Sequence, residues 1–256
     1  MASSIIFQIK NALLAAISLF MMALAIPVGI VLYVVGHGYD TQYYVGRLAS
    51  SLILKLFGWK VKVEGAEHLR TPAPAVFCSN HQATIDMLIQ AYLQPKRTVG
   101  LGKKDLLYIP LLNAYVFFTN MFLIDRGNHD HAMATMARVS KTMSEKKLSL
   151  YIYPEGTRSN SSTPSLLPLK KGAFRVALGG GYPIVPVVVQ NYSHIYSAKE
   201  KRLEPGTICV RILPPIETKG LELKDMDDLI QRTTNLMREA LIEMSKRNTH
   251  LNGKSD

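Results

Sequence analysis

The stretch AVFCSNHQATIDMLIQAYL, residues 75 to 93, reads as a strand, a turn and a helix in succession. AVFCSN is a β-branched and aromatic run of strand length, and Thr84 to Tyr92 carries apolar residues at helical spacing with Thr84 placed as its N-cap. The same alternation continues on both sides. Candidate strands are KVKVEG, TVGLGK, MFLID, SLYIY, IVPVVV and TICVRIL, and candidate helices are Asp130 to Glu145, Lys170 to Leu178 and Asp225 to Lys246. Strands interleaved with helical segments predict an α/β fold: a mixed sheet flanked by helices. In Asp130 to Glu145, Met133, Met136, Ala137, Ser140 and Met143 recur at three- and four-residue steps, a stripe facing the core. Gly179 to Gly181 is a helix stop and lacks the spacing of a nucleotide-binding loop.

Ahead of this region the chain changes character. From Asn11 to Tyr39 there is no lysine, arginine, aspartate or glutamate, and ALLAAISLFMMALAIPVGIVLYVV exceeds the ~20 apolar residues that cross a bilayer. A cleaved signal peptide is the lesser alternative, because the run continues well past the cleavage-like Ala23-Leu24-Ala25. Pro27 and Gly29 interrupt it, so a single kinked span competes with a re-entrant pair of short helices, and the pair is the expectation. Thr41 to Phe57 carries Tyr44, Leu48, Leu52 and Leu56 on one stripe, suiting a helix in the membrane interface with Trp59 as headgroup-level anchor, or else a core-facing helix. The division expected is residues 1–58 for membrane anchoring and 59–256 for the α/β body, with only the tail HLNGKSD disordered.

The 256 residues are 48% hydrophobic, which excludes a disordered chain, and 30 basic against 19 acidic residues give a formal charge of +11. Such a chain favours polyanionic partners: anionic lipid, phosphorylated small molecules or nucleic acid. Basic residues accumulate after the apolar run, which places the body on the cytoplasmic side of the inner membrane if the run spans. The two cysteines, Cys78 and Cys209, lie in strand-like runs without metal-binding spacing and read as buried thiols. His129 and His131 find no third ligand, and a capped helix start explains them; no metal is expected.

His81 and Asp86 stand five residues apart. Along a regular helix that is about 500° of rotation, so the side chains would diverge. A turn feeding a helix N-terminus removes the difficulty, because Asp86 then sits where the helix dipole favours negative charge and can accept from His81 Nδ1. That leaves Nε2 as a proton acceptor, the base-and-orienter half of a catalytic triad. The spacing is weak evidence alone. A second constellation, SLYIYPEGTRS at 149–159, runs a strand into a loop where Gly156 permits close backbone approach and Arg158 offers a planar fork for phosphate, with Glu155 placed to brace a basic neighbour. Lys103 and Arg126 follow strands, where α/β sheets gather ligands. Lys170 and Lys171 read as solvated charges at a helix start.

The ordered set NHQATID, GKKDLLYIP with IDR beyond it, YPEGTRS and the IVPV strand resembles the glycerolipid acyltransferase family, and within it the bacterial 1-acylglycerol-3-phosphate acyltransferases. The resemblance spans about Trp59 to Leu213; Asn113 departs from a glycine frequent in the family. It implies His81 and Asp86 as catalytic. It also implies a phosphate-acceptor site of Lys103, Arg126, Glu155, Gly156, Thr157 and Arg158, with Pro186 structural. The implied co-substrates are lysophosphatidic acid and acyl-CoA or acyl-carrier protein, on a membrane of anionic lipids, with no resident cofactor. A thioester donor and an alcohol acceptor need no enzyme nucleophile, although an acyl-enzyme through Cys78 or Ser79 stays open. Two other classes also stay open: hydrolysis, which lacks a G-x-S-x-G elbow, and a non-enzymatic lipid-binding protein. Nucleic-acid binding has no recognition motif behind it.

Overall fold

The computed structural model describes residues 2–252. Its centre is a seven-stranded mixed sheet in the order β1-β9-β6-β2-β5-β3-β4. The strands are β1 (Trp59–Glu64), β2 (Val76–Ser79), β3 (Thr98–Lys103), β4 (Phe122–Ile124), β5 (Ser149–Ile152), β6 (Ile184–Val189) and β9 (Gly206–Ile212). β7 (Tyr196–Ser197) and β8 (Arg202–Leu203) form a separate two-stranded ribbon. From β6 through β2, β5 and β3 to β4 every pairing is parallel, whereas β9 runs antiparallel to β6 and parallel to β1. Five adjacent strands therefore deliver their carboxyl ends to one edge.

Both faces of the sheet are covered, as parallel strands require. Along β2, Val76 and Cys78 join one core with Met136, Val139, Met143 and Phe174, while Ala75 and Phe77 join the other with Ile53, Ile85 and Ile89. The first face is packed by α5 (His129–Lys146), α6 (Gly172–Gly180) and α7 (Met226–Asn252), the second by α1 (Ala2–Val34), α2 (Thr41–Leu56) and α3 (Asp86–Leu93). The α5 stripe holds for Met136, Ser140 and Met143, but Ala137 is exposed. Gly181, at φ 64, ends α6 in the left-handed conformation that glycine adopts without strain. α7 runs past Lys246 to Asn252, and the remainder of the tail expected to be disordered, 253–256, lies outside the described residues.

Three expectations are corrected. The apolar segment is one continuous helix, α1, rather than a re-entrant pair. Pro27 removes a single donor within a long hydrogen-bonded run, and Gly29 marks a close approach instead of a break: a Cβ there would lie 2.7 Å from Phe118 Cβ of α4 (Leu112–Phe118). Near its start α1 is tied to the ribbon by Lys10 Nζ donating to the Leu203 carbonyl at 2.9 Å. The helix thus lies along the body, and its 31-residue apolar part, long and apolar enough to cross a membrane, keeps an exposed outer face. Trp59 is not a headgroup anchor. It is 4% exposed, donates Nε1–H to the Glu204 carbonyl at 2.8 Å and stacks on Phe57. Thr84 does not cap α3, since the first residue before the helix is Ile85 and no side-chain cap bond forms. Helix α4 itself went unforeseen within GKKDLLYIPLLNAYVFF. In α2, Val45, Ala49 and Ile53 face the core, while Tyr44, Leu48, Leu52 and Leu56 point outward, an exposed apolar stripe of the kind an interfacial helix presents.

Candidate active site

The turn between β2 and α3 bends His81 back over Asp86. Nδ1 of His81 lies 2.7 Å from Asp86 Oδ2, and the same oxygen accepts from the backbone N–H of Gln82 at 2.6 Å and of Ala83 at 3.0 Å. Asp86 thus reaches back to the turn, while the first helical amides donate to turn carbonyls, Asp86 N to Ala83 at 3.2 Å and Met87 N to Thr84 at 3.4 Å. The other oxygen, Oδ1, accepts from the Tyr192 hydroxyl at 2.5 Å. With Asp86 1% exposed, both oxygens are satisfied and fixed. An acceptor-only carboxylate imposes the Nδ1–H tautomer on His81 and leaves Nε2 with a lone pair.

Two further groups hold the turn. The His81 ring stacks on Tyr153 with centroids 4.2 Å apart, and the Tyr153 hydroxyl donates to the Asp86 carbonyl at 3.0 Å. Below them Glu155, 2% exposed, accepts from His81 N at 2.6 Å and from Leu167 N at 3.0 Å. Glu155 thus spends its oxygens on backbone donors rather than bracing a basic side chain. Burial pushes its carboxyl up to about 7, against the lowering effect of those two bonds. Tyr192 is held well above the ordinary phenol range, first by burial and then by the neighbouring Asp86 charge, so it stays a protonated donor.

The remaining residues implied by the resemblance gather at the ends of β5, β3 and β4. Gly156, at φ 71, turns the loop, and its carbonyl accepts from the Arg126 guanidinium. Lys170 lies over the same glycine: a Cβ there would sit 3.0 Å from its Cδ, Cε and Nζ. Lys170 therefore belongs to the site rather than to a solvated helix start. Thr157 and Arg158 are exposed on the loop, with Arg158 in electrostatic reach of Tyr153 and Tyr196. Lys103 is exposed at the end of β3, opposite Ile124 in the register, so it stands on the strand next to the one that leads to Arg126. The loop is laced to the histidine turn by Ser159 N donating to the His81 carbonyl at 2.9 Å and Asn160 N to that of Gln82 at 3.0 Å.

An internal nucleophile finds no support. Cys78 is fully buried, in the core on one sheet face, with its thiol pushed up to about 12 by burial, and Ser79 is equally inaccessible. Cys209 is only half-buried. Asn128 caps α5 by accepting from His131 N, and among the described residues no three histidine, cysteine or acidic side chains come together as a metal site. Tyr192, Tyr153 and Lys170 are the site residues that sequence reasoning missed or discounted. Tyr192 is 106 residues from Asp86, and nothing near it in the sequence marks it.

Residues 60–190, just over half of the chain, match the Acyltransferase family model. The 1-acyl-sn-glycerol-3-phosphate acyltransferase alpha of Homo sapiens is 34% identical over 227 residues, 89% of this chain and 78% of that protein. The 1-acyl-sn-glycerol-3-phosphate acyltransferase of Saccharomyces cerevisiae is 32% identical over 210 residues, 82% and 69% of the two chains. In fold, the crystal structure of the 1-acyl-sn-glycerophosphate (LPA) acyltransferase PlsC from Thermotoga maritima superposes with a TM-score of 0.71 over 94% of this chain and 96% of that one, at 17% identity. The family match over more than half of the chain and relatives at 34% identity, meeting on the fold that holds the close His81–Asp86 pair, make the chain a member of the acyltransferase family.

Proposed function

We propose that the protein moves a fatty acyl group from an acyl thioester, acyl-CoA or acyl-carrier protein, to the sn-2 hydroxyl of 1-acyl-glycerol-3-phosphate, giving phosphatidic acid. The observation that carries this reading is the His81–Asp86 pair at 2.7 Å, beside an arc of cations at the strand ends. His81 Nε2 takes the proton of the acceptor hydroxyl as the oxygen attacks the thioester carbonyl, and Asp86 stabilises the imidazolium that forms. The tetrahedral intermediate collapses by breaking the C–S bond. The departing thiolate, a good leaving group with an ordinary thiol pKa near ~8.5, recovers the proton from His81. Arg126, Arg158, Lys103 and Lys170 grip the acceptor phosphate and so hold the hydroxyl at Nε2, which lowers the entropic part of the barrier.

The chemistry asks for no resident cofactor. Residues 1–58 hold the protein at the membrane where a one-chain phospholipid resides, and 59–256 form the catalytic body. We place that body on the cytoplasmic face of the inner membrane, supported by the basic residues that follow the apolar helix. The exposed faces of α1 and α2 supply the apolar surface for membrane association. The test is transfer of labelled acyl groups by the detergent-purified protein, comparing 1-acyl-glycerol-3-phosphate with glycerol 3-phosphate. Phosphatidic acid formed only with the one-chain acceptor is the expected product. Free fatty acid instead would assign hydrolysis.

A further inference from the structure

The catalytic turn and the cations of the phosphate grip lie at the carboxyl ends of the parallel strands. A second group of cations lies at their amino ends. Arg97 directly precedes β3, and Lys146 and Lys147 lie just before β5. The Arg97 guanidinium joins them, donating to the Lys147 carbonyl at 3.2 Å and to that of Lys146. The elbow between α1 and α2 reaches the same edge, where Asp40 accepts from the Arg97 N–H at 2.8 Å. α2 adds Arg47, whose guanidinium carbon lies 4.8 Å from the centre of the Tyr43 ring. Lys96 Nζ stands over both Tyr43 and Tyr44, 5.5 and 5.1 Å from their ring centres, and donates to the Tyr44 hydroxyl at 2.9 Å. The two rings meet edge to face, so α2 and the approach to β3 share one cation–aromatic cluster.

The cluster is poor in counter-charge. Asp40 is 4% exposed and serves the Arg97 N–H and His37, reaching Lys96 only through its field. Glu145 faces Lys141. Among the described residues no carboxylate stands at ion-pair distance from Arg47, Lys96, Arg97, Lys146 or Lys147, and the buried Nε of Arg47 finds no hydrogen-bond partner. An ammonium bonded once keeps donors to spare, and a guanidinium stacked on a ring keeps its edge for an oxyanion. From this cluster the exposed stripe Tyr44, Leu48, Leu52 and Leu56 runs on along α2. Cationic donors thus stand at one end of an apolar surface, the order of a phospholipid's headgroup and chains, with tyrosines at the join. Resting on the membrane association proposed above but not on acyl transfer, we infer that Arg47 and Lys96, with Tyr43 and Tyr44, form a binding site for the phosphate of an anionic phospholipid in the bilayer, apart from the catalytic centre. Arg97, Lys146 and Lys147 widen the positive surface around it. The site holds the elbow end of the α1–α2 pair at the membrane surface, while the apolar faces supply the rest of the binding.

The experiment floats the full chain, diluted from detergent, on vesicles of phosphatidylcholine alone or mixed about two to one with phosphatidylglycerol, at low and at high salt. A cation at a membrane surface contributes a factor of about five, so Arg47→Gln with Lys96→Gln should weaken binding to the anionic vesicles about 30-fold. Binding to the neutral vesicles should stay within about twofold, because the apolar faces are untouched, and high salt should close the gap between variant and unmodified protein. Arg232→Gln with Arg238→Gln removes the same charge from α7, on the other face of the sheet, and should change anionic binding by no more than about twofold. An equal loss in that control would replace the site with bulk charge, and undiminished anionic binding in the Arg47 and Lys96 variant would remove it. A loss as large on neutral vesicles would assign the cluster to holding α2 in place. Acyl transfer is read alongside in mixed micelles. Selective anionic binding that the variant loses, without transfer to any acceptor, would keep this site and remove the proposed reaction. Transfer by an unmodified protein that shows no preference for anionic vesicles would do the reverse.

Discussion

The two halves of the site are built in opposite ways. Around His81 and Asp86 every carboxylate oxygen has a partner, at 2.5 to 3.0 Å, and the pair is nearly closed to solvent. Around Gly156 the side chains that would meet a phosphate, Lys103, Arg126, Arg158 and Lys170, are exposed and stand without buried counter-charges. A proton-transfer centre gains from donors fixed before the substrate arrives, because reorganising them during reaction adds to the barrier. A phosphate grip gains from the reverse, since a cation already paired inside the protein would have to give up that partner to the ligand. Rigid wiring and open charge are thus suited to the two tasks.

The contrast can be broken by substitution. The largest effect belongs to the wired half: His81→Ala should lower turnover by about 10³-fold, the scale of a general base, while lysophosphatidic acid still binds. Retained turnover would remove His81 as base. The open half should respond in KM. Arg158→Ala or Arg126→Ala is expected to raise the acceptor KM roughly 10- to 100-fold, the loss of a charge-assisted bond or two, with a smaller fall in kcat. A loss confined to kcat in either variant would move that arginine out of the grip.

Tyr192→Phe sharpens the comparison, because it removes one hydroxyl and leaves Asp86 Oδ1 without its donor. It should reduce kcat roughly tenfold, the value of one buried hydrogen bond to a charged group. Turnover equal to that of the unmodified protein would assign Tyr192 to packing alone.

The smallest effect is on stability. Glu155 is raised from an ordinary carboxyl value of 4.5 to about 7 in the fold, so between those pH values the folded protein binds more protons than the unfolded chain. Its contribution is full below about 4.5 and declines as pH rises to about 7, then stays flat. Glu155→Gln should flatten that part of the unfolding free-energy profile, read by denaturant titration across the pH range. An unchanged slope would mean that the carboxyl titrates as if exposed.

Much of this was legible from residues alone. The strand-and-helix alternation located all seven strands of the main sheet to within a residue or two, because periods of 2 and 3.6 are set by local geometry. His81 and Asp86 could be paired on paper because a turn and a helix start lie between them. Lys170 could not be placed, since its position over Gly156 depends on the path of the loop from Glu155 to Leu169. Trp59 was misassigned for a similar reason: an aromatic residue beside an apolar helix looks alike whether it faces lipid or the Glu204 carbonyl.

By itself the sequence determined the α/β class, the long apolar N-terminal segment, the positions of the four motifs and the chemistry those residue types permit. Local propensity and residue identity are enough for that. Only the tertiary structure decided that the helix through Pro27 is continuous and lies along the body. It also decided that Glu155 serves backbone donors and that Tyr192 completes the dyad across 106 residues of chain. These depend on strand order, which brings β6 beside β2 and so carries a distant tyrosine to Asp86. Side-chain contacts of that range are set by the packing of the whole sheet, and no local pattern encodes them.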